Sequence, residues 1–492
     1  DLYENPTLAA LTKTLTTRYT EGGLARQTWT GAVHPPVPPN LAYFIEHGLR
    51  ERGQWRIPLV LKLRSDVRVD DVRSVLTAVT NQHDALRLRL VERAGAWEQR
   101  VGEPQESAEL ATGVLADDIE PGSPQEHEAL LEIGRQQIHE QELADPPLAA
   151  TFVPGRQNGP GHLVINLHGT VGDDVSREIL LVDLLTAFGQ HLAGQDIVLQ
   201  PVTTSWADWS QRCAALATHP AVVESRDYWL EKASAADVRI VGSDVAGAPD
   251  VGDLTRLSTT LTISETSELD DVRRRLGLKV EDILLAALSR TIAATSGNGI
   301  MAVDLGGPGR SVLRPDVDLH RTVGWFTMIY PVALRCSGEE LSAAELFADV
   351  HATLDAVPHY GIGYGLLRYL YAPTAQALGA LRPPDIFISN AGTIPDLAAW
   401  SSDDAPVQFD TDAESPVSDA IPGLGHAIEL RVYRSRGQLH LDWWRDSRRI
   451  DQAAAESLAA GFAASLAGLI QEVTADDESD TADDAPMLVD LS

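Results

Sequence analysis

The stretch L-H-G-T-V-G-D-D-V-S-R, Leu167 to Arg177, decides how this chain is read. Ahead of it, Leu163–Leu167 (L-V-I-N-L) is a short apolar strand, and beyond it Ser176–Leu192 reads as a helix. The strand delivers His168 into a polar loop that runs into a helix start, a common place for functional groups. Gly169, beside that histidine, has no titratable group and can neither take nor give a proton near neutral pH.

The chain has 492 residues, 44% of them hydrophobic. That length exceeds one ordinary core and implies two lobes or domains. The sequence shows no uninterrupted apolar stretch long enough to span a bilayer, and no charged-then-apolar start of the signal-peptide kind. Cys213 and Cys336 are the only cysteines, far apart and without metal-ligand spacing, which fits a reducing cytoplasm and argues against a disulfide framework or zinc site. With 71 acidic and 39 basic side chains, the formal charge is −32. Such a surface repels nucleic acid and anionic membranes. It serves either solubility or the steering of basic partners, and charge alone does not separate the two.

A Gly/Pro-rich connector includes H-P-P-V-P-P at His34–Pro39, a loop because Pro locks φ. Ile57–Leu63 reads as a strand and Val69–Leu90 as a helix. Another helix is expected around Glu126–Ile138. Beyond about Gln200 a second lobe begins with T-T-S-W-A-D-W, where Trp206 and Trp209 stand three apart, as in a buried helical stripe. Val280–Thr295 reads as an amphipathic helix. Strands are expected at Ile300–Leu305, Met328–Leu334, Asp385–Ser389, Gly425–Tyr433 and Gln438–Trp444, with a closing helix at Ala453–Val473. Thr474–Asp484 is an acidic run with little to bury, expected to be extended. The domain plan is a helix in 1–15, a linker at 16–24, an N-terminal lobe over 25–200, a C-terminal lobe over 201–473 and an acidic linker over 474–492.

The central stretch resembles the motif of condensation-type domains of nonribosomal peptide synthetases: two adjacent histidines, three variable residues, then Asp-Gly. His168 and Asp173 match; Gly169 replaces the second histidine and Asp174 the glycine. Arg321–Val332, Pro358–Tyr369, Thr203–Trp209 and Asp227–Leu230 resemble further motifs of condensation and epimerisation domains, in order over most of residues 25–490. The epimerisation segment E-G-H-G-R reads G-G-P-G-R at Gly306–Arg310, so Gly306 stands in place of the glutamate. The resemblance implies a two-lobed α/β fold of the chloramphenicol-acetyltransferase type. Asp1–Leu15 resembles the last helix of a peptidyl carrier domain, which would make the chain a cut from a longer polypeptide.

The degenerate pattern H-G-x-x-x-D-D-x-x-R resembles the X-domains of glycopeptide-antibiotic synthetases, which read H-R-x-x-x-D-D-x-x-R. Gly169 departs from their arginine, by natural variation or by engineering, and restores no base. The resemblance implies a catalytically inactive, cytoplasmic module that recruits cytochrome P-450 oxygenases to a carrier-bound peptide for aromatic crosslinking. Its neighbours would be peptidyl carrier and thioesterase domains. It would hold no cofactor of its own; phosphopantetheine would belong to the carrier and haem to the oxygenase. The alternative is an epimerisation or condensation enzyme acting on carrier-bound thioesters.

His168 is read as a structural histidine bonding nearby backbone. Asp173 is expected to pair with Arg310 across the lobes, or else with Arg177. Asp174 either narrows the family's tunnel or is a solvated acid at a helix start. Arg177 either plugs the same channel or lies on a helix face. Gly361, Gly363 and Gly365 lack the context of a nucleotide loop and are read as turn glycines. Ser176 and Ser389 lack a positioned base. Exposed aromatics and arginines are where a docking surface would lie.

Overall fold

The structure is a computed structural model that describes residues 33–483 apart from 157–158, 242–244, 246, 308, 311–316, 339, 395–404 and 410–419. The helix expected in 1–15, the linker at 16–24 and the segment after 483 lie outside the described residues.

The first lobe opens with α1 (Pro39–His47), β1 (Arg56–Leu63) and α2 (Val69–Gln82). A hairpin of β2 (Leu88–Arg93) and β3 (Ala96–Val101) turns on Ala94 and Gly95, both at positive φ, which suits the right-handed twist of paired strands. Then come β4 (Ala111–Thr112), α3 (Pro124–Ile138), β5 (Leu148–Val153), β6 (Gly161–His168) and α4 (Asp174–Leu192). All eight residues of β6 are buried, because helices cover both faces of its sheet. Val164 packs outward with Val60, Val153 and Leu130 of α3. Leu163 and Ile165, on the opposite pleat, join the main core with Leu180 and Leu184 of α4.

The second lobe is built on β7 (Leu254–Thr260), β8 (Gly299–Gly307), β9 (Met328–Cys336), β10 (Ile386–Thr393), β12 (Ile428–Ser435) and β13 (Gln438–Asp446), in the order β7-β13-β12-β10-β8-β9. Strand β10 runs parallel to both its neighbours. Helix α5 (Val280–Ser296) is buried on more sides than an amphipathic helix would be, with ten buried side chains, because it lies under the closing helix α6 (Gln452–Asp483).

Four sequence expectations need correction. The helix from Val69 stops at Gln82 instead of Leu90. Arg87 folds back and donates to the carbonyls of Thr80 (2.9 Å) and Asn81 (2.8 Å), which ends the helix and releases Leu88 into β2. The lobes do not part cleanly at 200/201: β11 (Val407–Phe409) pairs with Leu61–Leu63 of β1 and covers that strand's edge in the first lobe's sheet. Helix α6 continues to Asp483, through most of the run expected to be extended, since residues following a packed helix add to it without a new nucleus. Finally, Gln452–Ala475 is long and apolar enough to cross a membrane by length and composition. Here Leu458, Phe462, Leu466 and Leu469 of that helix pack into the core.

Trp206 and Trp209 are both fully buried and meet Phe326 at ring separations of 5.4 and 4.8 Å. Asp84, from the first lobe, accepts hydrogen bonds from the backbone N–H groups of Trp206 and Ala207, each at 3.0 Å, and so anchors the start of the tryptophan helix, Trp206–Leu216. Replacing Asp84 by Ala leaves those two buried donors unpaired. We expect urea unfolding of D84A to show a loss of about 1–3 kcal/mol, with Asp84→Asn retaining part of it.

Candidate functional site

The end of β6 places His168 at the lobe junction. Its Nδ1 accepts from the Thr170 N–H (3.1 Å) and lies 2.7 Å from the Thr170 hydroxyl, while Nε2 donates to the Arg52 carbonyl (2.8 Å). Both ring nitrogens are thereby committed. Burial, reinforced by the nearby Arg56 cation, pushes the imidazole down to about 3. His168 is a neutral cap on the turn Gly169–Val171, which matches the structural reading.

Gly169 is occupied space. A Cβ there would stand 2.3 Å from Cδ2 and Cε2 of Trp55, and the Gly169 N–H donates to the Trp55 carbonyl (2.9 Å). On the indole's other contact, a Cβ at Gly423 would stand 2.4 Å from Cδ2. Trp55 is thus wedged against two glycines from opposite lobes, stacks on Phe44 (4.7 Å) and meets Trp325 edge-on (4.9 Å). Trp55 is not legible from sequence, because it lies far upstream of the motif it fills and has no motif of its own. Gly306 has a quieter version of the same surroundings. A Cβ there would contact Phe387 and Thr327 at 3.2 Å, with Ser389 at 3.5 Å.

Asp173 caps α4 by accepting from the Ser176 N–H (2.8 Å). It also takes a bidentate pair from Arg310, Nε to Oδ2 at 3.0 Å and Nη2 to Oδ1 at 2.7 Å. Arg310 spends its remaining donors on the carbonyls of Leu319 and Thr322 and on Ser176 Oγ, and lies over the Phe326 ring at 4.3 Å. The expected cross-lobe ion pair is present. Ser176 is fully buried and donates to the Gly324 carbonyl, so its hydroxyl belongs to the clamp. Arg177 does not compete for Asp173; it pairs with Asp174 at 3.4 Å.

Asp174 and Arg177 line a cleft of about 130 Å³ together with Trp55, Trp325, Phe387 and Arg431. Burial holds the Asp174 carboxyl above the usual carboxylate range, and Arg177 offsets this in part. Glu429, also on the wall, accepts from the Leu424 N–H (2.9 Å). Among the described residues lining the cleft there is no histidine.

Of the other glycines weighed from sequence, only Gly361 sits at positive φ (+88°), and a Cβ there would meet Tyr330 at 2.1 Å. Gly363 and Gly365 belong to the short helix Ile362–Gly365 rather than to a turn. They permit close packing, since a Cβ at Gly365 would reach Pro39 at 2.8 Å.

A second buried cluster has no counterpart in the sequence motifs. His426 Nε2 lies 2.9 Å from Asp304 Oδ2 and 3.0 Å from the Tyr43 hydroxyl, with Glu429 at 3.9 Å from Nδ1. Burial alone would lower the imidazole, but the two carboxylates prevail and raise it to about 9. Its partners come from separate parts of the chain, so no local spacing marks it.

With this geometry in place, residues 41–410 match the family described as condensation domain. The chain belongs to the condensation-domain family. It is 51% identical over its whole length to a phenolphthiocerol/phthiocerol polyketide synthase polypeptide of Mycobacterium bovis. It spans 34% of that relative's length. Among solved structures, the epimerization domain from the third module of tyrocidine synthetase B superposes with a TM-score of 0.75 at 22% identity, over 90% of this chain and 99% of that one. The X-domain in its complex with OxyB from teicoplanin biosynthesis gives 0.68 at 16% identity, over 92% and 97%. The expected two-lobed fold is therefore shown. The high-identity relative is a polyketide synthase polypeptide, whereas the likeness to the X-domain is one of fold.

Two outcomes follow for the condensation-family chain. Gly169→His forces a side chain into the indole, and overpacking of this kind costs about 1–3 kcal/mol; chemical denaturation should show that loss, and adding Trp55→Ala should relieve the clash. The two buried histidines also set opposite pH limits. A raised pKa gives His426 a contribution that is full below about 6.5, the usual unfolded value, and is lost as pH climbs through about 9. The depressed pKa of His168 gives one that is full above about 6.5 and is lost as pH falls towards about 3. Urea midpoints measured from pH 5 to 9.5 should peak near 6.5, with His168→Gln flattening the acid limb.

Proposed function

We propose that this condensation-family chain is a catalytically silent docking module of a carrier-based synthase. The observation that carries this reading is the indole of Trp55 in the space beside Gly169. Where the family motif has a second histidine, this chain has neither a base nor room for one while Trp55 stays in place. Phe387 lies beside Gly306, where the epimerisation motif has its glutamate. Removing and returning a Cα proton needs an acid/base pair within hydrogen-bond reach, and neither Gly169 nor Gly306 supplies a member of one.

A silent module contributes through its exterior. Holding a partner beside a tethered chain turns encounter into an intramolecular event, with effective concentrations on the order of mM for short linkers. The X-domain from teicoplanin biosynthesis is solved in complex with OxyB, which supports a separate protein as the kind of partner. A cytochrome P-450 oxygenase, bringing its own haem, is the class we propose. The kinship with a polyketide synthase polypeptide supports a carrier-bound polyketide chain as the neighbour, and a glycopeptide precursor is the narrower version of the same role.

An enzymatic reading has one observation in its favour. Asp174 is a titratable carboxyl on the cleft wall, raised by burial and paired only loosely with Arg177. The two readings separate in one experiment. The purified chain is incubated in deuterated buffer with acyl- and aminoacyl-carrier thioesters and an amine or alcohol acceptor. We expect no condensation product and no deuterium at Cα, together with retention of an oxygenase on the immobilised carrier–chain pair. Turnover that disappears in Asp174→Asn would establish the enzyme and end the docking reading.

A further inference from the structure

We infer that a groove at the start of β8 and β10, sharing no lining residue with the motif cleft, binds a carboxylate carried on a short aliphatic stem. The inference stands apart from the proposed docking role. The groove has a volume of about 210 Å³, room for a ligand of several non-hydrogen atoms. Its apolar wall comes from Met301 and Ala302 of β8, from Val238 beyond the helix Arg226–Ser234, and from Leu381 and Pro384 ahead of β10. Arg239, Arg382 and Asp385 supply its charge. The Ser234 hydroxyl, also in the lining, donates back to the carbonyls of Leu230 and Glu231 within its own helix.

The charges do not balance. Asp385 is buried, and its Oδ2 accepts from Arg239 Nε at 2.8 Å. Its Oδ1 accepts from Nη2 of Arg239 and also from Nη2 of Arg449, the latter at 3.2 Å. Two guanidiniums thus share one carboxylate. Arg239 Nη2 also faces the Pro383 carbonyl at 3.4 Å, whereas Nη1 has no acceptor among the described residues. Nη1 is not shut away from solvent, and the Arg239 side chain is 25% exposed. Arg382 adds an exposed guanidinium to the same lining. Asp237, two residues before Arg239, lies outside the lining and accepts from the Ile300 N–H at 2.7 Å. A cationic groove on a chain of formal charge −32 runs against the sign of the whole molecule.

The chemistry selects the ligand. An ammonium would meet Arg239 and Arg382 with like charge. A neutral amide would accept from Nη1 but leave the excess charge uncompensated. A carboxylate accepts a charge-assisted hydrogen bond from Nη1, the stronger kind, and balances the guanidinium that Asp385 shares with Arg449. The planar fork that lets an arginine grip a phosphate by two parallel bonds is already spent on Asp385 at Nε and Nη2. One open donor suits a singly charged head. The apolar wall then takes the stem, in the usual division of a small-molecule site between apolar lining and a few placed polar groups.

The test is calorimetric titration of the full chain with hexanoate, hexanamide, hexylamine, acetate and hexyl phosphate. We expect saturable binding of hexanoate, with hexanamide, hexylamine and acetate at least tenfold weaker and hexyl phosphate no tighter. Arg239→Met should weaken hexanoate binding at least tenfold. Arg449 stays behind to pair Asp385, so this variant should keep the parent's circular dichroism spectrum. Arg382→Ser, at an exposed position on the same lining, is the second variant should the first fail to fold, and it should weaken binding at least threefold. Arg177→Met, in the motif cleft, should leave hexanoate binding unchanged. The assignment is overturned by absence of saturation with hexanoate, by the amide, the amine or acetate binding as well, or by hexyl phosphate binding at least tenfold tighter. It is equally overturned if the folded groove variant binds like the parent, or if Arg177→Met abolishes binding and so places the ligand in the motif cleft.

Discussion

An aromatic ring pressed against two glycines organises the junction of this molecule. Trp55 leaves the first lobe just before β1, and its indole meets Gly169 on one contact and Gly423 on another. Neither position tolerates even a methyl group while the ring stays where it is. Large buried aromatics dominate core energetics because of the area they remove from water. The glycines are therefore best understood as the sites that admit the ring. A view of the motif alone, with an acid/base residue missing, describes the same fact from its chemical side. At this position an indole occupies the space beside the motif.

Around that wedge the inherited architecture is intact. Asp173 and Arg310 join the lobes through a bidentate pair, and every further donor of that arginine is engaged. A partly buried carboxylate and guanidinium repay their desolvation only when such hydrogen bonds are complete. Asp84 reaches from the first lobe to the tryptophan helix, and β11 returns from the far end of the chain to close the first sheet. These contacts join the lobes irrespective of what stands at Gly169 and Gly306. Membership of the condensation-domain family and the loss of the motif's acid/base groups thus rest on different residues and do not conflict.

The two buried histidines show how strongly neighbours decide protonation. His168 has a carbonyl and a peptide N–H as partners and a cation nearby, and it stays neutral. His426 sits among carboxylates and a phenol, and it takes a charge. Equal burial leads to opposite outcomes because the first environment offers no negative charge and the second offers two.

Much of the architecture could be read from the chain in order. The apolar run of β6, the tryptophan pair three apart and the helix after Asp173 follow from local periodicity and spacing, while the two-lobed fold was implied by chain length and by the resemblance of the ordered motifs to condensation and epimerisation domains. The Asp173–Arg310 pair could be foreseen because both residues sit in recognisable motifs. Other features could not, since they join residues distant in sequence that carry no period. Trp55 against Gly169, three residues of β11 beside β1, and His426 between Asp304 and Tyr43 are of this kind. Sequence determined that two acid/base positions are empty. Only the packing of the lobes decided what fills that space, because a glycine records the absence of a side chain but not the identity of the neighbour that needs the room.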